Sequence, residues 1–336
     1  MNGKIKEDLT VMEKKLSLYV EKGRVASATE VREEPMITVK PDPENINPLK
    51  KISSFDGHFL AVDCSTRTLK RANNWGVYLM RATYASLERR NVNWDYMERI
   101  CSVVGDAHTR SNYLTDFRIE LESQMALRLL HNGNVVYYED PRSNYLLLDG
   151  GGYFGGERKF RVSLYEECKK RGISLLAISK NSPLLHDEKG RDFIATTSAL
   201  SPFEMWVYHP IRKAEKDQSL YGDISIVKLC TESQRVFRCD IMDYLTDCEV
   251  GELLSPLTII SEDPRCLGYP ITLWLAHEFS APSDSMLLHY YDLIEKELDK
   301  AGLLARLRKE EVTCSFADEI HGVRHPYERE LWSEYV

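Results

Sequence analysis

Two aspartates close two apolar runs in this chain. The segment "FLAVDCS" (59–65) carries Asp63, and "NYLLLDGGG" (144–152) carries Asp149. Such runs read as buried strands, and an open α/β sheet binds ligands just outside the carboxyl ends of its strands. Two such strands side by side would bring both carboxylates to one edge. Left alone the pair repels, and burial raises both pKa values; a hard divalent cation, Mn²⁺ or Mg²⁺, relieves this because it takes oxygen ligands. Strand-end aspartates also cap helices and fix turns, and for either residue taken singly that plainer use stands open.

A helical segment offers a third carboxylate. In "DFRIELESQMALRLL" (116–130), Phe117, Leu121, Met125 and Leu129 fall on one face, with Glu122 beside them one turn from Ala126. Glu120 points elsewhere, toward Gln124 and Leu127, and either glutamate at a helix surface commonly serves an ion pair, here with Arg118. Further on, "CLGYPITLWLAHEFSAP" (266–282) sets Tyr269 just before a helix that Pro270 opens, with His277 seven residues after the proline. A phenol and an imidazole at one helix entrance suit contact with a phosphate or proton movement. A histidine on a Trp- and Leu-rich face also suits plain core packing.

The elements that must position these groups are legible in outline. An amphipathic helix spans 4–23 on Leu9, Met12, Leu16 and Tyr19, and an irregular connector covers 26–48. Strands are expected at "HFLAVDCS", at "GVYLMRATYASL" (76–87) as an antiparallel return, at "NYLLLD", and at 173–180. Helices are expected at 111–133 and 158–172 between them. Later strands read at "EMWVYHPI", "ISIVKLC" and "RVFRCDI", and later helices at 269–281 and 283–302, with "EKELDKAGLLARLRKEE" as a helix toward the C-terminus. Early antiparallel strands followed by a βαβ crossover give a mixed sheet covered by helices.

Composition narrows the partners. The 336 residues are 43% hydrophobic with a net charge of -8, so the chain is not a polycation built to coat nucleic acid. A polyanion would have to be met by a local basic surface or through metal ions. Candidates for such a surface are "TRTLKR" (66–71), with Arg67, Lys70 and Arg71, and "LERRN" (87–91). Eight cysteines form no CxxC pair, and the nine-residue spacing of Cys230, Cys239 and Cys248 matches no zinc pattern, so free thiols are expected. No apolar run approaches the roughly 18 residues a membrane span needs. The first residues are too charged for a signal peptide, and a cytoplasmic location without a membrane partner is expected.

The ordered set "AVDCS", "RIELE", "LLLDGG", "LLAISKNS", "RVFRCDI" and "GYPITLWLAH" resembles the NurA nucleases, over about residues 52–282. These are DNA-end-processing partners of the hexameric HerA ATPase translocase, with an RNase H-like fold. The resemblance implies that Asp63, a helix glutamate and Asp149 bind two catalytic Mn²⁺ or Mg²⁺ ions, with Tyr269 and His277 completing the site and His277 among the ligands. Glu122 is the preferred glutamate and Glu120 the alternative. Lys180 falls on the family's Lys-Ser pair and is assigned to phosphate. The implied activity is hydrolysis of DNA phosphodiesters by in-line displacement between two ions, 5′-to-3′ with single-strand endonuclease action, by a homodimer acting in end resection. Three parts follow: an N-terminal helix and linker (1–50), an RNase H-like core (51–285) and a C-terminal helical extension (286–336). Two departures stand out. Cys64 replaces the family's glycine, and "HNGNVVYYEDPRSN" (131–144) is long.

Other motifs fit less well. Asp149, Glu157 and Lys159 imitate the D…ExK pattern of restriction-type nucleases, but the last two open a helix where a strand is required. The glycine cluster lacks the ending of a P-loop. His321 and His325 have helical spacing, which Pro326 interrupts. Two rival readings remain: an actin- or sugar-kinase-like ATPase, with "VDCSTRT" and "LLLDGGG" as phosphate loops, and a non-catalytic assembly factor of a translocase.

Overall fold

Nine strands form one mixed sheet in the computed structural model, which describes residues 3–22, 37–132, 143–150, 159–180, 185–188, 190–215 and 220–320. In chain order the elements are α1 (Gly3–Lys22), β1 (Ile37–Thr38), β2 (Ile46–Pro48), β3 (His58–Arg71), β4 (Trp75–Glu88), β5 (Asn91–Val104), α2 (Ala107–Asn132) and β6 (Asn144–Asp149). There follow α3 (Lys159–Arg171), β7 (Ser174–Ser179), β8 (Leu185–His186), α4 (Phe193–Leu200), β9 (Trp206–Arg212), β10 (Gly222–Lys228) and β11 (Phe237–Met242). The last elements among the described residues are α5 (Val250–Leu254), α6 (Ile271–Ser280), α7 (Asp284–Lys300) and α8 (Leu304–Ile320).

The sheet order is β2-β9-β10-β11-β7-β6-β3-β4-β5, and β1 pairs with β8 apart from it. Strands β3, β6 and β7 are parallel to one another, while β3-β4-β5 form an antiparallel meander. This is the expected RNase H-like mixed sheet flanked by helices. The central strands carry near-continuous apolar runs because both of their faces are covered: Leu60, Ala61, Val62, Leu146, Leu147 and Leu148 are all buried.

Sequence reading placed Asp63 at a strand's end, but β3 runs on through "CSTRTLKR" to Arg71. Its polar half is held by pairing with β4, down to Arg71 opposite Gly76. Strand β5, unassigned from sequence, pairs along its whole length with β4. The C-terminal run expected as one helix is two, because Gly302 takes a positive φ of 70° and its N–H bonds Asp299 O to close α7. Glu157, His321, His325 and most of 131–144 lie outside the described residues.

The amphipathic stripe of α1 is used within the chain. Ile5, Leu9, Met12 and Leu16 join Trp75, Val77, Leu79, Ile100, Leu287, Ile294 and Leu298 in a second core cluster. Each fully buried side chain of this size contributes about 1.5–3 kcal/mol. Asp8 anchors the helix along the edge of the sheet: its carboxylate accepts from the Ile100 backbone N–H at 3.0 Å and from Arg99 Nε at 2.9 Å. The seven cysteines with described side chains are free thiols. Among the described residues, no helix is long and apolar enough to cross a membrane.

Candidate active site

Parallel pairing of β3 with β6 ends at Val62 opposite Leu148. The next residue on each strand is an aspartate, so Asp63 and Asp149 stand side by side where β6 stops. There Gly150 takes a φ of 123°, which favours glycine, while its N–H bonds Ile178 O at 3.2 Å. Strand alternation then sorts the side chains: Asp63, Ser65 and Arg67 share one face, and Cys64 takes the other.

Helix α6 lies over the Asp63 face. Its entrance is fixed by Gly268, whose φ is 89° and where an added Cβ would come within 2.5 Å of Ser233 Oγ. Pro270 occupies the position before the first helical residue. Tyr269 is buried against Phe237, with ring centroids 5.1 Å apart, and donates its hydroxyl to Asp149 Oδ1 at 3.1 Å. Further along the same helix, His277 Nδ1 lies 2.7 Å from Asp63 Oδ2. The imidazole side chain is 48% exposed and so open to a ligand. Lys180, two residues past the Asp149 partner Ile178, places Nζ 2.8 Å from Asp149 Oδ2 and 5.7 Å from the centre of the Tyr269 ring. The motif "RVFRCDI" thus supplies Phe237 as the wall behind Tyr269, a role its spacing did not reveal.

The electrostatics separate the two aspartates. Burial pushes Asp63 up, but the hydrogen bond and charge of His277, with Lys180 and Arg118, outweigh it and hold the carboxyl below its ordinary value. Asp149 goes the other way, raised by burial and then by the neighbouring Asp63 charge, against the pull of Lys180 and Tyr269. The Asp63 hydrogen bond raises His277. Burial, then Asp149, drives the Tyr269 phenol well above its usual range, so it remains a donor.

Asp63, Asp149 and His277 each offer one ligand atom, and these atoms lie within 4.8 Å of one another. Two oxygens and an imidazole nitrogen form a donor set that suits Mn²⁺ and tolerates Mg²⁺. The crowded carboxylates, with a lysine and a histidine already drawn to them, mark a place where a cation lowers the energy. The residues fit a divalent ion.

Other expected site residues lie elsewhere. Glu122 is buried on α2 with Arg118 Nε 3.8 Å from its Oε1, and its charge acts on Cys64 across the other face of β3. It does not join the three-residue cluster. Glu120 accepts from Gln124 at 2.9 Å, as its spacing suggested. Arg67 is half-buried on the Asp63 face, and Arg71 is half-buried at the end of β3. Lys70 corrects the expectation of a phosphate guide. Its side chain is 0% exposed, with Nζ 2.9 Å from Glu295 Oε1 and 3.0 Å from Glu311 Oε2. Cys64 is buried in extended strand opposite Ala82, so this position needs no glycine. Arg118, noted only as an ion-pair partner, also bears on Asp63.

No family model and no curated protein matches the chain. Solved structures do. The NurA nuclease from Sulfolobus solfataricus aligns at a TM-score of 0.54 and 17% identity, covering 89% of this chain and 98% of that one. A NurA structure with manganese aligns at 0.48 and 9% identity, covering 76% and 92%. Ciona intestinalis endonuclease V in complex with an inosine-containing 24mer DNA aligns at 0.41 and 14% identity, covering 67% and 84%. The latter two fall below a TM-score of 0.5 and add no weight. The first establishes that this chain shares its fold with the Sulfolobus nuclease over nearly the whole of that protein.

Proposed function

We propose that this chain is a metal-dependent deoxyribonuclease that hydrolyses phosphodiester bonds. The observation that carries the reading is the convergence of Asp63, Asp149 and His277 within 4.8 Å, with Tyr269 and Lys180 bonded to Asp149. A divalent cation bound there makes a water nucleophilic at neutral pH and offsets the charge that develops on the phosphate. Asp63 is the first ligand because its carboxyl is held ionised. Asp149 is the second; burial, and then the neighbouring Asp63 charge, raises its carboxyl. His277 is exposed enough to ligate, or to hand a proton to a leaving oxygen. Tyr269 keeps its proton and orients Asp149. Lys180 can leave Asp149 for a phosphate oxygen once a cation takes its place.

The finer reading rests on the resemblance in sequence. Two ions would be held by Asp63, Asp149 and a glutamate of α2, Glu122 or in its place Glu120. Cleavage is 5′-to-3′ on ends, with endonuclease action on single strands. The chain works in the cytoplasm as a homodimer with a HerA-type translocase, and residues before 51 and after 285 brace the 51–285 core.

Incubation of purified protein with end-labelled linear DNA and Mn²⁺ tests the proposal. Degradation that chelator stops and that Asp63→Ala abolishes supports it. DNA left intact with and without a translocase partner favours the assembly-factor alternative, and clear ATP binding by calorimetry without DNA favours the ATPase.

A further inference from the structure

The β4–β5 hairpin presents a surface that the site above leaves unused. Residues 91–96 of β5 are all exposed. Strand alternation puts Val92, Trp94 and Tyr96 on one face, which is the face of Asp63: the register runs from Asp63 to Thr83 to Tyr96 across β3, β4 and β5. At ordinary strand spacing the Tyr96 backbone is roughly 10 Å from that of Asp63. Trp94 sits opposite Ala85, and Ala85 opposite Ala61. The floor beside the rings is therefore made of small side chains.

The rings are held in place. Trp94 stacks on Phe279 with centroids 4.4 Å apart and planes at 29°, and lies 6.4 Å from Tyr96 at 20°. Phe279 is two residues past His277 on α6, so one helix fixes both the candidate ligand and the ring behind Trp94. The Arg81 guanidinium lies 4.4 Å from the Tyr96 ring, clamped by Glu98, which accepts from Arg81 Nε at 2.9 Å and from Tyr290 at 2.5 Å. Yet Trp94 and Tyr96 stay 48% and 37% exposed. Arg90 is exposed at the hairpin tip, and Asp95 alternates to the opposite face, away from the rings.

We propose that Trp94 and Tyr96, backed by Phe279, form a stacking platform for unpaired nucleobases. The platform lays a single DNA strand along β5 and directs its backbone to Asp63 and Asp149. This inference rests on the nuclease reading above and names its substrate form. Flat, half-exposed, preorganised rings beside a phosphate-directed site match how proteins bind single strands. Each stacked base is worth about 1–3 kcal/mol whatever its identity, and a base paired inside a duplex cannot offer its face.

The test is anisotropy of a fluorescent oligothymidylate with the full chain in chelator, so that nothing is cleaved. Trp94→Ala/Tyr96→Ala should weaken binding about tenfold or more, while Trp94→Phe/Tyr96→Phe stays near wild type. An abasic strand of equal length should bind wild type as weakly as the intact strand binds the double-alanine protein. Equal binding of the intact strand by wild type and the double-alanine protein overturns the platform while nuclease activity, assayed separately, stands. Wild-type protein that binds no strand and degrades none overturns both. A double-alanine protein that sediments as a monomer where wild type is a dimer makes the rings a subunit interface, which also overturns the platform.

Discussion

Asp63 and Asp149 are neighbours because β3 and β6 run parallel and in register up to Val62 and Leu148, and both strands place a carboxylate at the next position. The pair differs in charge cost. Asp63 is held ionised, whereas Asp149 is raised by burial and then by Asp63. Neutral substitutions should therefore part company in the metal-free protein. Asp149→Asn should melt no lower than wild type, since it removes an unfavourable charge, while Asp63→Asn should melt lower. Both should lose about a thousandfold or more in DNA cleavage, the several kcal/mol that a metal site supplies. Thermal melts beside a cleavage assay check the pattern.

The His277–Asp63 pair sets a pH dependence of both stability and metal uptake. The folded-state pKa of His277 is raised above 6.5, first by its hydrogen bond to Asp63, so its contribution is full below 6.5 and fades as pH rises through the folded value. The folded-state pKa of Asp63 is below 3.8, the His277 bond and nearby cations outweighing burial, so its contribution is full above 3.8 and fades as pH falls through the folded value. The pair should stabilise the metal-free protein most between pH 3.8 and 6.5. Metal uptake runs the other way on the alkaline side. It needs neutral His277, so Mn²⁺ affinity should rise with pH while the protons released per ion fall. Calorimetry in two buffers of different ionisation enthalpy measures both.

Lys70 should matter for folding and not for DNA. Burial works against its charge, but Glu311 and Glu295 outweigh this and raise its pKa. Lys70→Met strands two partly buried carboxylates together and should cost about 3 kcal/mol. Urea denaturation reads the loss. A drop in salt-dependent DNA affinity without a drop in stability would contradict this placement.

How much of this was legible in the sequence follows from how local each signal is. Asp63, Asp149, Lys180 and His277 each close or follow an apolar run, Tyr269 stands just before one, and that signature survives without the fold. Lys70 looks like surface in "TRTLKR" because its partners lie 225 and 241 residues away. The polar half of β3 reads as a loop, yet β4 holds it extended by long-range pairing that outranks propensity. Strand β5 opens on an alternation of Val92, Trp94 and Tyr96 that is itself a strand signal, although both of its faces there are exposed. The wall behind Tyr269 required knowing that β11 lies beside β7.

Cys64 illustrates the same limit. It departs from the glycine of the resembling family, but here it is an interior strand residue, 2% exposed, whose thiol burial pushes well up. Cys64→Gly should cost about 2 kcal/mol through the lost side chain and a looser strand. Thiol reagents should label Cys64 only as the protein unfolds, which a mass-resolved labelling series would show.

The central claim is that Asp63, Asp149 and His277 are a divalent metal site, and titration of Mn²⁺ into the metal-free protein tests it most directly. Wild type should bind saturably, and Asp63→Asn and Asp149→Asn, with their secondary structure intact, should each bind about a hundredfold or more weaker. Mn²⁺ binding with equal affinity to wild type and both variants would contradict the account.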